Sequence, residues 1–302
     1  MVKLMNDEIF SLSRSLLVEL SGSIGFRDSQ LMQKILWPIF RPVTNRLARI
    51  GLTFDKNVQQ FGFSKAMEFA LGNFTSSIFA HGVENIPSSG PLLVVANHPG
   101  TYDSLVITSN LKRDDIGFIS GDIPFLKTLP TANKHFFCIS EKINVRMVAL
   151  RKALRHLKSG GAMMLYGYGH IEPDPSVYSD AVECIDEWSP SIEVILKTQP
   201  DTQLLLSMVS HVVSPKWRNS ILYHLRRTAL DRRRLVEFGQ VIYQLLFPGR
   251  YMAQPMVSFG QPVTLKQLRV EDGEENVLPG IIRRAKSLLS SHMDWTKSFI
   301  PG

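Results

Sequence analysis

A series of short, continuous apolar runs that alternate with helical patterns constrains the fold of this chain more than any other feature. The run Leu92–Ala96 is apolar at every position, which is typical of a strand buried on both faces of a parallel sheet. Further strand candidates follow at 116–120, 136–140, 162–166, 204–213 and 256–263. Strands that alternate with helices indicate an α/β fold with a mostly parallel central sheet flanked by helices.

The helical patterns divide the chain into two predicted regions. Residues 1–80 are predicted to form an N-terminal helical region that docks on a membrane. Residues 81–302 are predicted to form the α/β domain, with a basic helical insertion near 215–250. Amphipathic spacing predicts helices over 104–112 and over 144–159, the second of which stops at a Gly-Gly pair.

The stretch 30–50 places apolar side chains among basic ones. Pro38 and Pro42 are expected to break or kink it into two short helices, because an interior proline removes a helix hydrogen bond. Trp37 and Phe40 beside arginine fit a helix that lies on a membrane surface without spanning it. The alternative is a helix packed on the α/β core.

Charge is unevenly distributed along the chain. The 302 residues contain 34 Lys and Arg against 27 Asp and Glu, a formal net charge of +7. Residues 27–56 have six basic and two acidic side chains (net +4), and residues 215–250 have eight and two (net +6). Residues 171–203 have eight acids and one lysine (net −7). The basic segments fit an anionic membrane surface, an acidic protein or a solvated helical face. No nucleic-acid motif accompanies them, so nucleic acid is not expected as a partner.

Cysteine usage and hydropathy exclude several classes of protein. Cys138 and Cys184 are far apart and not in metal-type spacing, which excludes a disulfide scaffold and fits a reducing compartment. The N-terminus is a poor signal peptide, and no window reaches about 18 consecutive apolar residues. A cytoplasmic protein, peripheral on the inner face of the membrane, is therefore expected.

The most informative motif follows the first apolar run directly. Asn97-His98-Pro99-Gly100-Thr101-Tyr102-Asp103 places a histidine at a strand end and a carboxylate near the start of the next helix. A turn between them can bring Asp103 against one imidazole nitrogen, which makes the other nitrogen a general base. The alternative is an ordinary loop in which Asn97 and Asp103 serve as caps.

This motif resembles the signature of the glycerolipid acyltransferases, the lysophosphatidic-acid and glycerol-3-phosphate acyltransferases. The family's first motif is Asn-His-x-x-x-x-Asp, matched by Asn97, His98 and Asp103. The resemblance extends over roughly 85–215. A helix that ends in Gly-Gly and a following apolar strand agree with the family in order and spacing.

The later motifs of the family are matched less closely. Tyr166-Gly167-Tyr168-Gly169-His170 occupies the third-motif position, where Gly169 matches the family glycine and Tyr168 replaces its glutamate. Ile171 replaces the arginine that follows. For the second motif's basic residue, Lys142 is the nearest candidate and Arg146 the next. The fourth motif corresponds to 204–213.

The resemblance implies an O-acyltransferase of phospholipid biosynthesis that needs no metal and no bound cofactor. His98 and Asp103 would be catalytic, and the fatty-acyl group would come from acyl-CoA or acyl carrier protein. The acceptor would be a lysolipid or glycerol phosphate. Substrate contacts are expected from a set of motif residues: Asn97, Gly100, Thr101, Lys142, Arg146, Tyr168, Gly169 and His170. Glu172 and Asp174 are either substitute polar contacts or a solvated acidic loop. The alternative function is a non-catalytic protein that binds lipid or acyl thioester on the same fold.

Overall fold

An eight-stranded, mostly parallel sheet forms the centre of the chain. The computed structural model describes residues 2–23, 29–139, 143–272 and 276–299. Within these residues the strands are β1 Phe79–His81, β2 Leu92–Ala96, β3 Ile116–Gly121, β4 Phe136–Ile139, β5 Ala162–Tyr166, β6 Gln203–Ser210, β7 Met256–Phe259 and β8 Val263–Thr264. Their order is β1-β7-β6-β2-β5-β3-β4, and β8 pairs with β6.

Strand direction supports the predicted α/β class. β2 runs parallel to both of its neighbours, β5 and β6, and β3 runs parallel to β5 and β4. Only β7 and β8 are antiparallel to the strand they flank, β6, and β1 is parallel to β7. The mostly parallel sheet predicted from the apolar runs is confirmed.

Helices cover the sheet and make up the N-terminal region. The described α-helices are α1 Val2–Ser23, α2 Gln30–Phe61, α3 Phe63–Leu71, α4 Asp103–Leu111, α5 Pro124–Lys127, α6 Ile143–Lys158, α7 Ala181–Asp186, α8 Ser191–Thr198, α9 Pro215–Arg218, α10 Ala229–Leu246, α11 Leu265–Asp272 and α12 Leu278–Lys297. The predicted N-terminal helices are present, and α9 and α10 lie within 215–250. The division into two regions at residue 80, with an insertion near 215–250, stays a prediction.

The central strand β2 separates two hydrophobic cores. Its residues are all buried, and successive side chains point to opposite faces of the sheet. Leu92 and Val94 join a core that includes residues of α2, α3 and α4. Leu93 and Val95 join a second core with residues of α8 and α12. A strand buried on both faces needs apolar side chains at every position, which is the pattern that the sequence shows.

The prediction that 30–50 forms two short helices is wrong. α2 is one helix that runs through both Pro38 and Pro42. Each interior proline removes a hydrogen bond, but α1 packs along this helix and its second half is buried in the core. Tertiary packing therefore outweighs the local breaking signal.

The two halves of α2 have different surroundings. The second half packs on the core, which was the alternative to a surface-lying helix. In the first half Leu31, Ile35 and Ile39 are 70%, 51% and 62% exposed, whereas Trp37 packs edge-on against Phe10 of α1 at 5.8 Å between ring centroids. Within the described residues, no helix combines the length and the apolar character needed to cross a bilayer.

Two predicted strands end earlier than the apolar pattern suggests. β6 stops at Ser210 because His211 adopts a left-handed backbone conformation, with φ of 59°. The predicted strand 256–263 is interrupted after Phe259, and β8 resumes only at Val263. Apolar residues continue past β6 because Val212 and Val213 of the following loop are also buried, whereas Gln261 after β7 is exposed.

Candidate active site

The predicted site lies where three neighbouring parallel strands end. Ala96, the last residue of β2, is in register with Tyr166 of β5 and with Ser207 of β6. The carboxyl ends of parallel strands meet at one edge of a sheet, which is where ligands bind in such folds. The loops after β2, β5 and β6 therefore converge here.

His98 and Asp103 form the hydrogen-bonded pair that the motif predicts. The imidazole Nδ1 lies 2.8 Å from Asp103 Oδ2. Asp103 is the first residue of α4 and is fully buried, whereas the side chain of His98 is 23% exposed. Because the carboxylate accepts a hydrogen bond from Nδ1–H, the Nε2 nitrogen is left to act as a proton acceptor.

Two further donors fix the Asp103 carboxylate. The Gly100 backbone N–H donates to Oδ2 over 3.0 Å, and the Tyr166 hydroxyl donates to Oδ1. The Tyr166 ring also stacks on the His98 imidazole, with centroids 3.8 Å apart and planes 8° from parallel. Tyr166 therefore holds both members of the pair in place.

The electrostatic surroundings favour a protonatable His98. Burial lowers the pKa of its imidazole. The negative charge of Asp103 and its hydrogen bond raise this pKa, with smaller contributions from Glu172 and Glu237, and together they outweigh the effect of burial. The net result is a pKa above the usual 6.5. Such a group exchanges a proton near neutral pH, as a general base requires.

Asn97 locks the end of β2 to β6. Its side-chain amide donates to the Val209 carbonyl over 2.9 Å, and its Oδ1 accepts from the Val209 N–H over 2.8 Å. Asn97 is 4% exposed. It positions the loop that begins with His98; its predicted contact with substrate stays a prediction.

Glu172, from the third-motif loop, lies buried beside His98. Its backbone N–H donates to the His98 carbonyl over 2.7 Å, and its side chain accepts a long bond of 3.4 Å from Trp188 Nε1. Burial raises the pKa of Glu172 to about 8. Its Oε1 has no hydrogen-bond partner among the described residues. A neutral carboxyl group in this position can donate a proton or a hydrogen bond.

Asp174 is also buried, and it organises the loop after β6. Its carboxylate accepts the backbone N–H groups of His211, Val212 and Val213 at 3.2, 2.8 and 2.9 Å. Val212 in turn accepts from the Tyr102 hydroxyl over 2.6 Å. The interpretation of 172–174 as a solvated acidic loop is therefore wrong.

Glu237 reaches the site from α10. Its Oε1 accepts the Thr101 backbone N–H over 2.7 Å, and burial raises the pKa of its carboxyl group. The Cβ that a side chain at Gly100 would add lies 2.7 Å from Val212 and 3.0 Å from Glu237. Only glycine therefore fits between the His98 loop and its two covering elements.

Of the other predicted substrate-binding residues, three lie in the loop after β5 and one lies on α6. Gly169 and His170 are exposed in the loop after β5, and the Tyr168 ring packs edge-on against His170. Arg146 is exposed on α6, and within the described residues no contact joins it to the His98 loop. Lys142 lies outside the described residues.

Three contributors were not predicted as catalytic-pair partners: Tyr166, Glu172 and Glu237. Tyr166 is 63 residues from Asp103, and Glu237 is 136 residues from Thr101. Tyr166 can be placed at the site only once the strand order is known, since the last residue of β5 then lies beside the end of β2. Glu237 gives a weaker signal, as an acid on the buried face of an amphipathic helix.

The structure thus places a histidine–carboxylate pair at the carboxyl edge of an α/β sheet, and a comparison with protein families bears on this segment. The family model described as Acyltransferase matches residues 77–177, which include His98, Asp103, Tyr166 and Glu172. The resemblance drawn from the first motif is confirmed over this segment. The fourth-motif stretch, 204–213, lies beyond the match.

Among solved structures, the chain is similar to the crystal structure of the 1-acyl-sn-glycerophosphate (LPA) acyltransferase PlsC from Thermotoga maritima. The identity is 16%, the TM-score is 0.46, and the match covers 95% of this chain and 98% of that one. A search of curated proteins found no match.

Proposed function

We propose that this protein is an O-acyltransferase that moves a fatty-acyl group from a thioester to a hydroxyl of a glycerolipid-type acceptor. The observation that carries the proposal is the His98–Asp103 pair at 2.8 Å, within the segment that matches the acyltransferase family. Tyr166 and Gly100 hold the carboxylate so that Nε2 of the imidazole is the reactive nitrogen.

The reaction proceeds by proton transfer through His98 and attack by the acceptor oxygen. Nε2 takes the proton of the acceptor hydroxyl as its oxygen bonds to the thioester carbonyl carbon. The C–S bond of the tetrahedral intermediate then breaks, and the imidazolium returns the proton to the thiolate. Asp103 stabilises the positive charge that His98 carries in between. An ester and a free thiol result.

The oxyanion of the intermediate requires hydrogen-bond donors. The loops around His98 offer the backbone N–H groups of Gly100 and Gly169 for this role. Gly100 already donates to Asp103, so Gly169 is the remaining candidate. It lies exposed in the loop after β5, with φ of 79°, which suits a glycine.

The acceptor and donor are proposed from the family resemblance. The acceptor would be lysophosphatidic acid or a relative, and the donor acyl-CoA or acyl carrier protein, as in phospholipid biosynthesis. The site departs from the family pattern at Tyr168 and Ile171, so the acceptor's phosphate must be held differently. The protein would work at the inner face of a membrane, where the exposed residues of α2 contact lipid.

The test is acceptor-dependent release of thiol. Purified protein is mixed with palmitoyl-CoA or palmitoyl acyl carrier protein, a panel of lysolipids and glycerol 3-phosphate, and a thiol reagent. Thiol release that requires one acceptor, together with mass-spectrometric detection of the new ester, supports the proposal. Binding of lipid or thioester with no ester formed on any acceptor would favour the non-catalytic alternative.

A further inference from the structure

A cavity lies between α2 and α3, and none of the residues that line it belongs to the His98 site. Its volume is about 300 Å³, and it contains two arginines, Arg46 and Arg49, spaced three residues apart on α2. Asn57 and Asn73 add amide groups, and Phe54, Phe69 and Ile50 are among its apolar lining. An apolar cavity with a few convergent polar groups is the usual form of a small-molecule site.

Within the part of the chain that the structure describes, the two arginines have no counter-ion. Among the described residues, neither Arg46 nor Arg49 has a hydrogen-bond or acidic partner. The acids of these two helices are engaged elsewhere: Asp55 accepts two backbone N–H groups, from Thr131 and Ala132, and Glu68 pairs with Lys65 at 2.6 Å. Two unpaired guanidinium groups beside amides are suited to a phosphate.

The position of the arginines on α2 indicates that the phosphate belongs to a lipid. At 100° per residue, Leu31, Ile35, Ile39, Arg46, Arg49, Thr53 and Asn57 fall within a sector of roughly 80°. The first three are exposed apolar side chains, and the last four line the cavity. Along one stripe of the helix, apolar side chains therefore give way to phosphate-binding groups, as in a helix at a lipid interface.

Exposed phenyl rings add to this surface. Phe69 is 48% exposed at the cavity mouth, and Phe61 packs edge-on against it while being 54% exposed. A soluble phosphate ester gains nothing from these rings, whereas the glycerol and acyl part of a lipid can bury them.

We propose that the α2–α3 cavity binds the phosphate headgroup of an anionic lipid through Arg46 and Arg49, with the apolar part of that lipid against Phe54 and Phe69. This site deepens the membrane contact proposed above. It is separate from acyl transfer, since neither His98 nor Asp103 lines the cavity.

The test is calorimetric titration of the full-length protein with dihexanoyl phosphatidic acid below its micelle concentration. Three variants are compared with the wild type. Arg46→Gln/Arg49→Gln removes the phosphate ligands, and Thr53→Trp fills the cavity while keeping both charges. Arg41→Gln/Lys56→Gln is the matched control, because it removes two exposed charges of the same helix that do not line the cavity.

Saturable binding is expected in the wild type, weakened at least about tenfold in Arg46→Gln/Arg49→Gln and in Thr53→Trp, since each removes charge-assisted hydrogen bonds or the space for them. The control should bind within about twofold of the wild type. Equal losses in the control would overturn the site. Inorganic phosphate that binds as tightly as the lipid would overturn the lipid assignment.

His98→Ala separates this proposal from the proposed function. It should bind dihexanoyl phosphatidic acid as the wild type does, even if no acyl transfer is ever found. Loss of binding in His98→Ala would place the lipid at the His98 site and contradict a separate cavity.

Discussion

At the scale of single residues, the geometry of the His98 site depends on one carboxylate that accepts three hydrogen bonds. Asp103 takes hydrogen bonds from His98, Gly100 and Tyr166 while fully buried. A buried charge of this kind is stable only because each oxygen is satisfied. Its negative charge is also what raises the pKa of His98.

Asp103→Asn should lower kcat by about 10²–10⁴-fold, because the neutral amide cannot stabilise the imidazolium. The fold should persist, since the side chain keeps its size. The check is kcat for acyl transfer together with circular dichroism. Asp114→Asn, outside the site, is the control and should keep full activity. A folded Asp103→Asn protein with near wild-type kcat would contradict the role of the pair.

Glu172 predicts a pH-dependent stability. Its pKa is raised to about 8 in the folded protein from an ordinary 4.5, so the folded state binds the proton more tightly than the unfolded state. The stability that this proton contributes is complete below pH 4.5 and is lost as the pH rises through about 8.

Glu172→Gln keeps the neutral shape at every pH. Its Tm relative to the wild type should therefore increase from pH 5 to pH 8, as measured by differential scanning fluorimetry. The exposed Glu183→Gln should show no such trend. A constant difference between Glu172→Gln and wild type across this range would show that Glu172 is ionised in the folded protein.

The sequence predicts the residue-scale chemistry only where the partners are close in the chain. The four residues between His98 and Asp103 form one turn, so the pairing of the two side chains follows from local geometry. Tyr166 and Glu237 reach the site across the sheet and from α10. No local pattern specifies such contacts, because they depend on which strands and helices become neighbours.

At the scale of secondary-structure elements, apolar runs were better guides than breaking signals. β2 and β5 begin and end at the predicted residues, since each is a buried strand bounded by turns. α2 contradicts the local rule because its packing against α1 and the core outweighs two prolines. β6 ends early because the Asp174 carboxylate, from a distant part of the chain, accepts the backbone N–H groups of 211–213.

The continuous α2 predicts that Pro38 is a local weak point. Pro38→Ala restores a helix hydrogen bond at an exposed position and should stabilise the helix by up to about 3 kcal/mol. Amide hydrogen exchange over 31–41 should slow. Pro279→Ala, in the first turn of α12, is the control and should change little, because a proline there costs no hydrogen bond. Faster exchange in Pro38→Ala would contradict an uninterrupted helix.

At the scale of the whole molecule, the two proposed functions lie on different elements: lipid contact on α2, and acyl transfer at the sheet edge that carries His98. The net charge of +7 arises from two basic segments that are partly offset by an acidic one. Within that acidic segment, Glu172 and Asp174 are buried and serve the site. Charge counted along the chain therefore overstated the acidic surface.

The apolar stripe of α2 should attach the protein to membranes. Leu31→Ser/Ile35→Ser/Ile39→Ser should reduce cosedimentation with vesicles of phosphatidylglycerol and phosphatidylcholine by about tenfold or more, since each buried side chain contributes about 1.5–3 kcal/mol. The control is a triple change of exposed valines on other helices, Val182→Ser/Val194→Ser/Val270→Ser. Equal retention by both variants would exclude α2 as the attachment surface.

The most direct test of the central claim is acyl transfer by His98→Ala, measured as acceptor-dependent thiol release beside wild type and the exposed-residue control His224→Ala. The account predicts that His98→Ala loses turnover by at least about 10²-fold while retaining the wild-type Tm, and that His224→Ala keeps its activity. Ester formation by folded His98→Ala at a rate close to wild type would contradict it.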